Sequence, residues 1–187
     1  MDPTPASPDK NALRRRVRAD LAALPPGAVA RQSEAVLAVL APKIARGIVL
    51  AYAPLPREVQ LDPALVTLAT EGRLVLPRVA GESLALHRVA DLAGLQHGAL
   101  GTREPSDEHP RVEPGDIDVV LVPGLAFGRD GSRLGRGGGY FDRLLPRLGA
   151  RRVGVCFAQQ LFDTVPTEPH DARVDAIVTE DGCWCVG

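Results

Sequence analysis

The chain has 187 residues, 45% hydrophobic and 24% charged, with 22 basic side chains against 23 acidic ones. That size and composition suit one globular domain with a sizeable core, and the near-neutral balance argues against a general nucleic-acid binder. No apolar run approaches the roughly 20 residues of a membrane span, and the proline-rich opening Met1 to Lys10 lacks the basic-then-apolar pattern of a secretory signal, so cytoplasm is the expected compartment.

Aromatic residues make up only 4% of the chain, so its core must be aliphatic. Met1 to Ala6 reads as a disordered N-terminus, and residues 7–187 as a single domain. Ser7-Pro8 offers a helix start, with serine as cap and proline in the first turn. Leu13, Val17, Leu21 and Leu24 then recur on one helical face, ending at Pro25-Pro26. On that face Lys10 and Arg14 fall at the margin of the apolar stripe, whereas Arg15 and Arg16 point away from it.

A second helix is expected from about Ala28 to Leu40, then a strand over Ile48 to Tyr52 and a loop over Ala53 to Glu58. Asp62-Pro63 caps and opens the next helix, which Glu71-Gly72 closes. Leu74 to Pro77 and Leu84 to Val89 are short strands, and residues 91 to 115 read as an extended surface connection. Ile117 to Val122 is a buried strand. Past the glycine-rich stretch that follows it come a helix to about Leu148 and a strand over Arg152 to Phe157. A loop over Ala158 to Arg173 leads to a last strand, Asp175 to Thr179, that closes the sheet. Apolar strands alternating with amphipathic helices predict one three-layer α/β domain, with a mostly parallel sheet covered by helices on both faces.

Gly124 to Asp142 carries the chemistry. Strand, glycine-rich loop and helix in succession let backbone amides and a helix N-terminus surround an anion. Gly135, Gly137, Gly138 and Gly139 remove the Cβ atoms that would keep a ligand off the backbone, and Arg129, Arg133 and Arg136 add positive charge. The stretch lacks the Gly-Lys-Ser/Thr of a Walker loop. It also lacks the Gly-x-Gly-x-x-Gly of a dinucleotide fold, because Tyr140 stands at the sixth position from Gly135. The fold is therefore Rossmann-like in layout without a dinucleotide fingerprint. The competing reading of the glycines is a run of tight turns. Three cysteines make neither a disulfide framework nor a four-ligand zinc set, and Cys156 in Val-Gly-Val-Cys-Phe reads as inert packing.

Taken together, these segments resemble the 5-formyltetrahydrofolate cyclo-ligase family, from Lys10 to about Gly182. The resemblance is carried by Leu121-Val122-Pro123-Gly124-Leu125-Ala126-Phe127 and by Arg133-Leu134-Gly135-Arg136-Gly137-Gly138-Gly139-Tyr140-Phe141-Asp142. Lys10-x-x-x-Arg14, the Tyr52 to Glu58 loop, Leu76-Pro77-Arg78 and Val165-Pro166 through His170-Asp171 to Val178-Thr179-Glu180 support it.

The resemblance implies ATP-dependent cyclisation of 5-formyltetrahydrofolate to 5,10-methenyltetrahydrofolate, with release of ADP and phosphate. It also implies the site. Lys10, Arg14 and the run Arg133, Leu134, Gly135, Arg136, Gly137, Gly138, Gly139, Tyr140 and Phe141 would hold the nucleotide. Ala53, Glu58 and Arg136 through Tyr140 would face the folate, with Arg136 and Tyr140 at the reacting centre. Asp142 and Asp171 would carry Mg2+. His170 has no assigned task. Phe141 stands where the family often has a second tyrosine, Leu61 stands where threonine is frequent, and Asp62 is the expected substitute cap. Two other readings remain: a catalytically silent relative that binds folate or nucleotide, and another ATP-using ligase on the same scaffold. A monomer is expected, since no apolar stripe is left over once the core is assigned.

Overall fold

The computed structural model describes residues 9–99 and 101–186. The Ser7 cap, Pro8 and the N-terminal stretch before them lie outside those residues. In chain order the described elements are α1 (Lys10–Ala22), α2 (Ala28–Leu40), β1 (Val49–Leu50), α3 (Asp62–Thr70), β2 (Leu74–Ala80), β3 (Ser83–Arg88), β4 (Gln96–His97) and β5 (Arg103–Glu104). They continue with β6 (Val119–Val122), β7 (Ala126–Gly128), β8 (Arg133–Leu134), α4 (Tyr140–Leu144), β9 (Arg151–Val155), β10 (Leu161–Phe162), β11 (Ala176–Thr179) and β12 (Gly182–Cys185). No described helix is long and apolar enough to cross a membrane.

The strands of the main sheet are apolar at successive positions because they are buried on both faces. Val49, Leu74, Val119, Leu121, Val153 and Val178 join one core, and Leu50, Val75, Val120, Val122 and Ile177 join the other. The first core lies under α1, α2 and α3 through Val17, Leu21, Val36, Leu40, Leu65 and Leu68. The second is covered by Leu144, Leu145 and Leu148 around α4, with Val112, Ile117 and Val174 from irregular chain. One layer is thus helical and the other is mainly loop around a five-residue helix.

The sheet has seven strands in the order β12-β11-β9-β6-β1-β2-β3. β11, β9, β6, β1 and β2 run parallel, and β12 and β3 pair antiparallel at the two edges. Numbered by their own sequence, the parallel strands follow the 2-1-3-4-5 order of doubly wound folds, whose chain reverses direction between the first and third strands. Here that switch point lies between β1 and β6. Ligands bind in such sheets beyond the carboxyl ends of the strands flanking the switch, which are the Tyr52–Glu58 loop and the segment from Pro123 onward.

Several expectations are corrected in detail. The short strand at Leu74 runs on to Ala80 and turns at Gly81, in the left-handed region at φ 63°, into β3. The presumed surface connection of 91–115 contains the β4–β5 hairpin. The helix after the glycines ends at Leu144 and tightens into a 3-10 turn over Leu145–Arg147, because Pro146 cannot continue it. Asp62 does not cap α3: Leu61 holds the cap position without a side-chain bond, and the Asp62 carboxylate is taken by Arg103 instead. The sheet does not end at Thr179, because Gly182–Cys185 adds an edge strand that carries the Cys-Trp-Cys sequence.

Candidate active site

Between β6 and the glycine run the chain folds into the β7–β8 hairpin, which with β10 makes a small separate sheet. The glycine-rich loop proper therefore begins at Gly135. Arg129 belongs to the hairpin and turns away from the loop, stacking 5.1 Å from the Trp184 ring centroid beside Asp163. Its expected place in an anion cradle is overturned, because the hairpin inserts a turn that points it to the outer edge of the sheet.

Gly137 and Gly139 lie in the left-handed region, at φ 112° and 67°, which is open to glycine at little cost. Among the described residues, the backbone N–H groups of Arg136 through Tyr140 have no acceptor within the protein. Five consecutive unpaired donors beside a cavity are what a bound anion satisfies. With only five residues in α4, the helix macrodipole adds little, and the donors of the loop itself are the main feature.

Two of the five basic residues of α1 reach toward the site: Arg14 meets the glycine loop and Lys10 meets the segment around Asp171. Arg14 Nε donates to the Gly135 carbonyl at 2.9 Å, and its Nη1 donates to Asn11 Oδ1 at 2.8 Å. Lys10 Nζ lies 2.6 Å from Asp171 Oδ2 and 3.1 Å from Glu168 Oε2, with its side chain 16% exposed. Burial pulls the Lys10 ammonium down, but its bonds to the two carboxylates outweigh that and raise it above its ordinary value. Burial would likewise raise the Asp171 carboxyl, and the Lys10 bond with the Glu168 amide lowers it below the usual carboxylate range.

Arg133 departs from its expected exposure to ligand. Its side chain is 4% exposed and lies beneath the loop, with Nη2 donating to Asp142 Oδ1 at 2.5 Å and Nη1 to the Pro123 carbonyl at 3.1 Å. Gly135 has room only for hydrogen above it, since a Cβ there would come within 3.1 Å of Arg133 Nη1. Leu134 is also in the core, so backbone is what it can offer a ligand. Asp142 Oδ1 accepts in addition from the Ala172 amide at 3.2 Å, which brings the Asp142 carboxylate beside Asp171. The donors suit a hard cation in kind: Asp142 Oδ2 and Asp171 Oδ1 are carboxylate oxygens that accept no hydrogen bond among the described residues, and the ligand atoms of Asp171, Glu168 and His170 lie within 4.8 Å of one another. His170 is exposed, 3.3 Å from Glu168 Oε2.

Beside the loop opens a cavity of about 360 Å³. Ala53, Glu58, Arg133, Gly135 through Tyr140, Phe141 and Asp142 all line it, whereas Lys10, Arg14, Leu134 and Asp171 lie outside that lining. Glu58 is 9% exposed. Its Oε1 accepts from Arg136 Nε and Nη2 at 3.0 and 2.6 Å, and its Oε2 accepts from the Leu55 amide at 2.8 Å. The Tyr52 hydroxyl at the same wall is pushed well above its ordinary value by burial and by Glu58, so it stays a neutral phenol. Tyr140 Oη donates to the Gly81 carbonyl at 3.5 Å, and its ring lies 5.1 Å from the Arg143 guanidinium.

The remaining wall was not anticipated. Thr102, Arg103 and Glu104 of the β4–β5 hairpin line the cavity together with Pro77, Val79 and Leu84. Paired glycines, Gly98 and Gly101, just ahead of the Thr-Arg-Glu run are a hairpin signal, and that was the available clue. Cys156 takes no part: it is buried, and burial with the nearby Glu180 carboxylate pushes its thiol far up.

A nest of free amides beside an apolar cleft at a topological switch point defines an α/β enzyme that brings an anionic group against a flat small molecule. The chain belongs to the 5-formyltetrahydrofolate cyclo-ligase family, whose model matches residues 6–180. A 5-formyltetrahydrofolate cyclo-ligase of Mycolicibacterium smegmatis is 34% identical over 146 residues, covering 73% of this chain and 75% of its own. The solution structure of an Aquifex aeolicus 5,10-methenyltetrahydrofolate synthetase superposes with a TM-score of 0.86 at 38% identity, covering 95% of this chain and 92% of that one. A Mycoplasma pneumoniae 5,10-methenyltetrahydrofolate synthetase gives 0.74 at 25% identity, covering 92% and 99%.

Proposed function

We propose that this chain is an ATP- and Mg2+-dependent cyclo-ligase that converts 5-formyltetrahydrofolate to 5,10-methenyltetrahydrofolate, acting as a monomer in the cytoplasm. The observation that carries this reading is that one cavity is lined both by the free-amide glycine loop and by Arg136 paired with the buried Glu58 carboxylate. A phosphoryl donor and a ring-shaped acceptor can therefore meet in one space.

A formyl amide carbon is a poor electrophile because its nitrogen donates into the carbonyl. Transfer of the ATP γ-phosphoryl to the formyl oxygen, with ADP leaving, converts that oxygen into part of a phosphate leaving group. The N10 amine then attacks the carbon, loses its proton and expels phosphate as the ring closes. No protein nucleophile is required, and positioning with charge neutralisation supplies most of the catalysis.

In this reading Arg14 and Lys10 hold the nucleotide phosphates from the side of α1, and the Arg136–Tyr140 amides hold them from the loop. Arg136 is held by Glu58 with its guanidinium toward the formyl oxygen, where it offsets developing charge, and Tyr140 closes the same wall. Glu58 Oε2 keeps acceptor capacity for a pterin N–H beyond its bond from Leu55. Asp142 and Asp171 would hold Mg2+, which neutralises phosphate charge when bound. Among the described residues Val66 is the one large hydrophobic side chain left exposed, which supports the monomer.

The test is absorbance at the methenyl-folate band with purified protein, Mg2+, ATP and 5-formyltetrahydrofolate. A rise that requires both ATP and the 5-formyl compound is expected. Folded protein that gives none would overturn the reading.

A further inference from the structure

Three arginines line the cavity, and they differ in how firmly each is held. Arg133 is 4% exposed and bonded to Asp142 and Pro123. Arg136 is itself 40% exposed, but two of its nitrogens hold, at 3.0 and 2.6 Å, a Glu58 carboxylate that is only 10% exposed. Arg103 is different. It pairs with Asp62 at 2.7 Å, but both side chains are 38% exposed. An ion pair that wet contributes little, so its cation can change partner at small cost.

The element that carries Arg103 is nevertheless fixed. Glu104 next to it is 7% exposed. Its Oε2 accepts from the Val79 amide of β2 at 3.1 Å, and its Oε1 accepts from Thr102 Oγ1 at 3.2 Å. Arg78 grips the following segment through the Pro105 carbonyl at 3.0 Å. A rigid strand thus presents a readily exchanged guanidinium to the cavity, next to an apolar wall of Pro77, Val79 and Leu84 that suits a ring system.

We infer that Arg103 is a specificity residue that takes a carboxylate on the glutamyl end of the folate, with Asp62 as the internal carboxylate it leaves to do so. The inference rests on the cyclo-ligase reading. The guanidinium fork matches a carboxylate in two-point geometry, and the apolar wall beside it receives the ring portion of the substrate. Asp62 and the substrate tail then compete for one cation.

The experiment uses the full chain with two substrates that share one ring: 5-formyltetrahydrofolate and the primary amide of 5-formyltetrahydropteroic acid, which has neither the glutamate nor a free carboxylate. The measured quantity is the ratio of their kcat/KM values. Arg103→Gln should cut the preference for the glutamate-bearing substrate about tenfold, through KM, as expected for one charge-assisted hydrogen bond. Asp62→Asn should move the ratio the other way by releasing Arg103, which also separates tail recognition from a damaged fold. Equal losses on both substrates, or an unchanged ratio in both variants, would overturn the assignment. Wild-type protein that turns over neither substrate would remove the cyclo-ligase reading itself, and the tail assignment with it.

Discussion

Lys10 compensates two carboxylates with one side chain: its ammonium sits between Asp171 and Glu168, at 2.6 and 3.1 Å. On the proposed assignment, replacing it with methionine removes a phosphate contact, and it leaves Asp171 without its cation, which is a costly state. Lys10→Met should therefore raise the KM for ATP about tenfold, yet bind Mn2+ more tightly than wild type when no nucleotide is present. A Mn2+ titration of nucleotide-free protein checks this, and an unchanged or weaker affinity would argue against Asp171 as a cation ligand. The sequence placed Lys10 and Arg14 correctly at the margin of an apolar stripe, because helical periodicity fixes angle. It did not show that Arg133 is buried beneath the loop, because a charged residue among glycines reads as exposed until its partners, Pro123 and Asp142, are known.

At the scale of elements, strands were legible where they are apolar throughout, as in Val119–Val122. Edges and hairpins were less so. Pairing partners, rather than composition, are what make Gly182–Cys185 a strand. Gly154 is a case where the pattern was read but its reason was hidden. It lies in β9 against the fully buried Phe127 ring, where a Cβ would come within 2.5 Å, and Gly124 packs on the same ring. The two glycines clamp a phenyl group directly under the start of the glycine-rich segment. Gly154→Ala should overpack that contact and destabilise the protein by about 1–3 kcal/mol. A urea denaturation midpoint lowered with unchanged slope would show it.

For the whole molecule, the three-layer α/β architecture followed from alternation of strand and helix signals, and the 2-1-3-4-5 order then located the site at its switch point. Long-range ties between distant segments were out of reach of local pattern. One of them, around Asp130, contributes to the acid dependence of stability. Burial would raise its carboxyl, but bonds from the Ser132 side chain and amide and from Thr164, with Arg173 nearby, lower it. Its folded value is depressed, so the stability it contributes is present above its unfolded value of about 3.9 and is lost as pH falls through the folded one. Thermal unfolding temperature should drop as the pH is taken below about 4, and Asp130→Asn should flatten that limb of the profile. An equally steep limb in the variant would place the acid sensitivity elsewhere.

Lys10 and Arg14 of α1 have a consequence in time as well as in space. Lys10 meets Asp171 across 161 positions of sequence, and Arg14 meets Gly135 across 121. During synthesis α1 is made well before the segments in which these two cations find their partners. Contacts that close such long loops form late, because the entropy of closure precedes their reward. Docking of α1 is thereby a mark of progress along the chain: a polypeptide interrupted before Asp171 keeps its basic helix but lacks the carboxylate that Lys10 meets.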